Sequence, residues 1–437
     1  MTGPIPSAFA MRRRELLRAG AMAGLATALA PRLAWAASQP DLMPRVEQVI
    51  ARWVGPGKFP GMVAALGVPG KGTQFAVRGT ESFTDLDVLT PDSLFRIYSM
   101  TKPITGMAAM MLVDEGRIGL DQPVADVLPQ FAEMNVQAVP DGSITDVRPA
   151  KAPITMRNLL THTSGLGYAI IQKGPLRRAL LDAGLAAGRI SRTIIPGIET
   201  GKSVGSLAEF ADKLAMLPLV YEPGTRYSYS LGLDLMGRVI EVVSGIPFDR
   251  FLQQRIFDPL GMTSTWFHVP ASEAKRLTTN FGALGGTLFP IDPGQSSVFL
   301  DKPPAPFGGA GLVSSPRDYD RFLAMLANLG MAGRHRVMSE RAVRIGTGNL
   351  LPAGVAGPVT NMGLPSDFGA GGRVGKGPEQ GVFGWSGAAG TVGTVDMRGG
   401  IRTGIYVQFM PPDSNNLLSE YQTALHQDVT ALMGGKS

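Results

Sequence analysis

The chain has no cysteine, which removes disulfide scaffolds, thiolate-ligated zinc, iron–sulfur clusters and thiol nucleophiles together. Histidine is almost as scarce. The four present, His162, His268, His335 and His426, form no HExxH or other paired spacing, so the pattern of a histidine-built metal site is missing as well. Long apolar runs are also lacking: beyond the N-terminal region the longest, Met107–Val113, is seven residues, where a membrane span needs about 20. Glycine is abundant instead, with 56 of 437 residues, and 34 prolines accompany it. That composition calls for many turns and argues against coiled coils or helical bundles. A hydrophobic fraction of 44% supplies a large core, and the length alone gives two or three domains as a starting expectation.

The first 36 residues read as a targeting segment. An arginine run, Arg12-Arg13-Arg14, precedes Leu16-Leu17; then Ala19–Ala30 is uncharged, and Ala34-Trp35-Ala36 offers a small-x-small cleavage site. The pattern resembles a twin-arginine export signal and predicts a bacterial protein that is periplasmic or secreted, cleaved near Ala36. Its charge changes the reading of the whole chain. Residues 1–36 hold five arginines and one glutamate, net +4, so the formal +6 falls to 6 − 4 = +2 after cleavage. No basic run is left to recommend nucleic acid as a partner.

Downstream, apolar spacing predicts a helix over 42–54 and two strands around a Pro-Gly turn in 61–79. Helical periodicity follows at 103–115, 154–162, 206–217, 231–244 and 247–258. From Gly390 the pattern alternates again before an amphipathic helix at 417–433. Strands at both ends with helices between do not make a repeating βαβ fold. The expectation is an α+β protein: an antiparallel sheet from about 42–98 and 300–433, terminal helices on one face, and a helical subdomain over about 105–295.

Three stretches carry chemistry. In Ser99-Met100-Thr101-Lys102, serine and lysine three apart share one helix face, and the helix N-terminus leaves N–H groups free for an oxyanion. The second is the hydroxyl-rich turn Pro223–Gly232, where Tyr229 could relay a proton. Third is Phe383–Gly390, with Trp385-Ser386-Gly387-Ala388 entering a strand where small residues admit a ligand to the backbone.

Two other matches serve as internal controls. Ser272-Glu273-Ala274-Lys275 repeats the SxxK spacing but starts a polar stretch, so Ser272 is expected to cap a solvated helix. Gly201-Lys202-Ser203-Val204-Gly205 fits GxSxG without a buried strand before it, and Ser206 with Glu209 is expected to form a capping box for the next helix. Gly308-Gly309-Ala310-Gly311 could form an anion-binding nest, but Ser315-Pro316-Arg317-Asp318 favours a helix start beneath the site.

In this order, the SxxK pair, a tyrosine turn and a W-x-G strand resemble the serine β-lactamase and penicillin-binding protein superfamily. FRIYSMTKPITG, LLTHTSGLGY, PGTRYSYS and GGAGLVSSPRDYDRF point to its family VIII carboxylesterase branch, close to class C β-lactamases. The resemblance spans about residues 42–433 and implies a β-lactamase-like fold. It implies Ser99 as nucleophile, Lys102 as base, Tyr229 as proton shuttle, and the N–H groups of Ser99 and Ala388 as oxyanion hole. No metal or other cofactor is implied. Two positions depart from class C enzymes: Leu231 replaces an asparagine, and Trp385-Ser386-Gly387 replaces Lys-Thr-Gly. Leu231, Trp385, Ser386 and Gly387 are therefore expected to bind substrate in an uncharged pocket, suited to a small-molecule ester rather than a β-lactam. Acyl transfer, β-lactam or D-Ala-D-Ala hydrolysis, and acylation without turnover stay open as alternatives. His162 is expected to be structural, and the insertion at 168–205 to shape the pocket entrance.

Overall fold

The computed structural model describes residues 41–434 apart from 85–86, 187, 194, 196–202, 285–286, 360–362 and 413. The expected export signal, 1–36, lies outside the described residues, as do Gly201 and Lys202 of the GxSxG match.

A seven-stranded antiparallel sheet organises the molecule. Its strands are β1 (Gly61–Val68), β2 (Gly72–Gly79), β3 (Ser366–Phe368), β4 (Arg373–Gly375), β5 (Val382–Ser386), β6 (Val392–Asp396) and β7 (Arg402–Tyr406). They lie in the order β3-β4-β5-β6-β7-β1-β2, so the early hairpin docks on the last strand, with Val63 opposite Tyr406 and Leu66 opposite Thr403. Both faces of β1 are covered, which is why GMVAALGV reads as continuous apolar sequence. Met62, Ala64 and Leu66 face a cluster built with α1 (Pro44–Trp53) and the C-terminal helix, while Val63 faces the main core.

The remaining helices are α2 (Thr101–Asp114), α3 (Met156–Leu160), α4 (Gly174–Asp182), α5 (Leu207–Ala215), α6 (Gly232–Ser244), α7 (Phe248–Leu252), α8 (Asp258–Leu260), α9 (Pro316–Ala327), α10 (Glu340–Gly346) and α11 (Leu417–Leu432). Helix α2 is buried on nearly every side from Thr101 to Leu112, the central element of the main cluster. The helix expected at 247–258 is instead α7 and α8 joined by a π-helical turn, Gln253–Phe257.

The controls separate as follows. Ser272 lies inside a solvent-facing 3₁₀ stretch, Ala271–Arg276, whose N-cap is Pro270, so it does not cap. Ser206 does cap α5, accepting from Glu209 N at 3.0 Å. The expected reciprocal half of that box is displaced by one residue, because Glu209 Oε2 accepts from Gly205 N rather than from the cap residue. Ser315 caps α9 through Asp318 N with Pro316 at the first turn, as the sequence indicated.

Candidate active site

Ser99 sits in a one-turn 3₁₀ helix, Tyr98–Met100, that runs directly into α2. The chain reaches it through Phe95–Arg96, a two-residue strand that is less apolar than it reads. Arg96 is fully buried and held on every side: its Nε donates to Asp292 Oδ2 at 2.6 Å, its Nη1 to Thr278 O, and its backbone exchanges hydrogen bonds with the Gln408 amide. Breaking such a pair leaves a buried charge uncompensated, which costs about 3–5 kcal/mol. This anchor fixes Tyr98 at φ +40°, a conformation unfavourable for any side chain, immediately ahead of the serine.

Around Ser99 Oγ two donors converge. Tyr229 Oη donates to it at 2.8 Å and Lys102 Nζ at 3.2 Å, both within proton-transfer reach. Lys102 is completely buried at the start of α2, one helical step from Ser99, and its second hydrogen bond goes to Gly309 O at 2.7 Å. Its Nζ lies 4.6 Å from the Tyr229 ring centre. Tyr229 itself is set by three aromatic neighbours: Trp385 stacks at 5.9 Å and donates its indole N–H to Tyr229 Oη at 3.4 Å, while Tyr168 and His162 pack at 5.8 and 4.5 Å.

His162 has the structural part expected of it. Its Nδ1 accepts from Ser230 N at 3.1 Å, fixing the residue after Tyr229, and burial followed by the Lys102 charge holds its pKa well below the usual imidazole value. The ring thus orients the tyrosine turn, and among the described residues no hydrogen bond joins it to Ser99.

The strand side closes on the segment ahead of Ser99. A Cβ on Gly387 would lie 2.4 Å from Ile97 O and 2.3 Å from Thr391 Oγ1, so only glycine lets the end of β5 close on the segment ahead of Ser99. Gly387 N donates to Thr391 O at 2.7 Å and Gly390 N to Gly387 O at 3.2 Å. In that turn the Ala388 N–H has no protein acceptor among the described residues. It is thus available to a ligand oxygen alongside the N-terminal end of α2.

The other expected binding positions divide. Trp385 is half-buried against Tyr229, and Ser386 is exposed at the strand end. Leu231 departs from expectation: it is fully buried as the N-cap residue of α6 and packs in the main core, so it faces no open pocket. The asparagine-to-leucine change therefore removes a polar group from the site without itself becoming a wall of it.

Sequence reasoning missed Asp234. This carboxylate is fully buried on the first turn of α6; its Oδ1 accepts from Gly309 N at 2.8 Å, and its Oδ2 has no hydrogen-bond partner among the described residues. Burial pushes its pKa up to about 6, opposed by the Lys102 charge and the Gly309 N–H. The Gly308–Gly311 loop does cradle an anion, but the anion is the protein's own. Gly309 is bonded on one side to Asp234 and on the other to Lys102, and a Cβ there would lie 2.4 Å from Asp234 Oδ2. An aspartate between Leu233 and Leu235 on an apolar helix face was the available signal.

A family model described as Beta-lactamase matches residues 46–427. The chain belongs to the beta-lactamase family. Beta-lactamase relatives similar to it include lovastatin esterase of Penicillium rubens, 33% identical over 249 residues, covering 55% of this chain and 57% of that one. Esterase EstB of Burkholderia gladioli is 29% identical over 306 residues, covering 66% of this chain and 71% of that one. The chain spans about half to three fifths of the length of other curated relatives it matches, among them lovastatin esterase and the acyltransferase calJ of Penicillium decumbens. Among solved structures, unliganded simvastatin synthase (LovD) from Aspergillus terreus superposes with a TM-score of 0.72 at 22% identity, covering 91% of this chain and all of that one. That likeness places the fold, a beta-lactamase-like α+β architecture, as the sequence indicated.

Proposed function

We propose that this beta-lactamase family member is a serine carboxylesterase that works through an acyl-enzyme on Ser99. The observation that carries the reading is the convergence of Lys102 Nζ and Tyr229 Oη on one serine oxygen at 3.2 and 2.8 Å. With the Lys102–Tyr229 pair one proton short, Ser99 Oγ attacks the ester carbonyl as its proton passes to the member of the pair that lacks one, and the carbonyl oxygen takes its developing charge to the N–H groups of Ser99 and Ala388. Collapse of the intermediate breaks the C–O bond of the alcohol, which leaves with a proton supplied by the same pair. Water, activated in the reverse sense, then releases the acid.

Trp385 and the uncharged strand end favour an ester over a β-lactam or peptide, both of which present a carboxylate that a cation would hold. An acyl acceptor other than water would turn the same intermediate into a transacylase. The N-terminal segment supports export with cleavage near Ala36, which N-terminal sequencing of the mature protein from a bacterial host reads directly.

The test is a p-nitrophenyl ester panel with Ser99→Ala. Wild type is expected to turn over the panel and to show the mass of one acyl group on the Ser99 peptide under rapid quench. The variant should lose at least about a thousandfold in kcat. Undiminished turnover in the variant sinks the reading, and nitrocefin hydrolysis rivalling ester hydrolysis would move it to the β-lactamase alternative.

A further inference from the structure

Ser99 stands where two apolar clusters meet. On one side Tyr229, Tyr168 and Trp385 border the main core. On the other, Tyr98 belongs to a separate small cluster with Phe299, Ala310 and Ala389, and five half-buried apolar residues lean on it: Ile190, Trp266, Leu300, Ala388 and Met410. These come from five distant parts of the chain, and Ala388 is also the proposed oxyanion donor.

Ile190 reaches this place because the segment around it is tied down. Arg189 donates to Asp301 O at 2.8 Å and Phe267 O at 2.9 Å, and its guanidinium carbon lies 4.9 Å over the Phe299 ring. Arg192 donates to Ser296 O at 2.8 Å and Ser297 O at 2.9 Å and pairs with Asp301 at 2.5 Å. Phe299 in turn meets the Tyr98 ring edge-on at 6.1 Å. Two arginines and a phenylalanine thus fasten the 188–192 segment to the residue next to the nucleophile.

We infer that Ile190, Leu300, Trp266 and Met410, with Ala388, form the wall that receives the apolar acyl group of the ester while it is bonded to Ser99. This rests on the esterase reading and names its substrate class: esters whose acyl part is an apolar chain. The assignment to the acyl rather than the alcohol part follows from the proton. The departing alcohol must be reached by Tyr229 and Lys102, so it occupies their side of Ser99. With the carbonyl oxygen directed to the N–H groups, the acyl substituent is left with the Tyr98 side, where the apolar surface is.

Two ester series separate the possibilities. p-Nitrophenyl acetate through octanoate varies the acyl group with a fixed leaving group; methyl through octyl acetate varies the alcohol with a fixed acyl group. In Ile190→Ser and in Leu300→Ser, the octanoate-to-acetate ratio of kcat/KM should fall about tenfold, with the octyl-to-methyl acetate ratio unchanged within twofold. Both side chains are half-exposed and come from separate segments, so either variant alone suffices if the other folds poorly. An unchanged acyl ratio, or a shift confined to the alcohol series, overturns the assignment. Failure of the esterase reading would look different, because wild type itself would then show no Ser99-dependent turnover in either series.

Discussion

Asp234 is the residue whose part in the site is set by its surroundings rather than by its type. It does not touch Ser99; it holds Gly309, whose carbonyl holds Lys102. Asp234→Asn keeps the shape and one acceptor but removes the charge facing Lys102, so kcat should fall about tenfold with KM nearly constant, since the ester does not contact this group. The same substitution has a pH signature. A carboxyl raised from its ordinary value to about 6 keeps its proton in the folded chain after the unfolded chain has lost it, so it makes stability fall as pH rises from about 4 to 6. Melting temperatures measured across that window should drop less steeply in Asp234→Asn than in wild type. Parallel curves would show that the carboxylate is no more strained than a surface one. Ser99 and Lys102 were legible from spacing and apolar flanks, whereas Asp234 was not, because its meaning lies in a glycine 75 residues away.

At the scale of elements, the site is made by close approaches between backbones. Strand β5 ends at Ser386, and Gly387 lets it press on Ile97, two residues ahead of Ser99, with Ala388 next in the chain as the proposed donor. Gly387→Ala would force the strand end off Ile97, moving one oxyanion donor while leaving serine, lysine and tyrosine in place. The expected result is a loss of about a hundredfold in kcat, with acylation slowed in rapid-quench experiments and the Lys102–Tyr229 pair still intact. If kcat stays within threefold of wild type, Ala388 N–H is not a donor to the reaction. The helices around this strand end were visible in the sequence as periodic apolar spacing, and α2 and α6 fall within two residues of their expected starts. The strand ahead of Ser99 was legible from its apolar, aromatic residues, whereas the π-helical turn at Gln253–Phe257 and the two-residue strand at 313–314 were not visible, since segments that short have no period to read.

Across the whole molecule, the sheet closes only when the first and last thirds of the chain meet. Alternation in the late strands and the Pro-Gly hairpin announced an antiparallel sheet fed from both ends, and the continuous apolar run of β1 announced two buried faces, but nothing local names β7 as its partner. The terminal helices seal that join. Helix α1 has no capping side chain of its own, since Met43 occupies its N-cap. Asp428 of α11, with its side chain wholly buried, caps it from across the molecule: its carboxylate accepts from Arg45 N and Val46 N at 3.0 Å and from the Arg45 guanidinium at 3.1 Å. A carboxylate at a helix N-terminus is favoured by the free N–H groups and the helix dipole, and removing a buried cap leaves those donors unsatisfied. Asp428→Ala should therefore lower unfolding free energy by about 2–3 kcal/mol, read from urea denaturation, while the specific activity of the folded fraction stays at the wild-type value. Stability within about 0.5 kcal/mol of wild type would mean that the two ends are held by apolar contact alone. A parallel loss of kcat would mean instead that the seal between termini reaches the catalytic strand through β7.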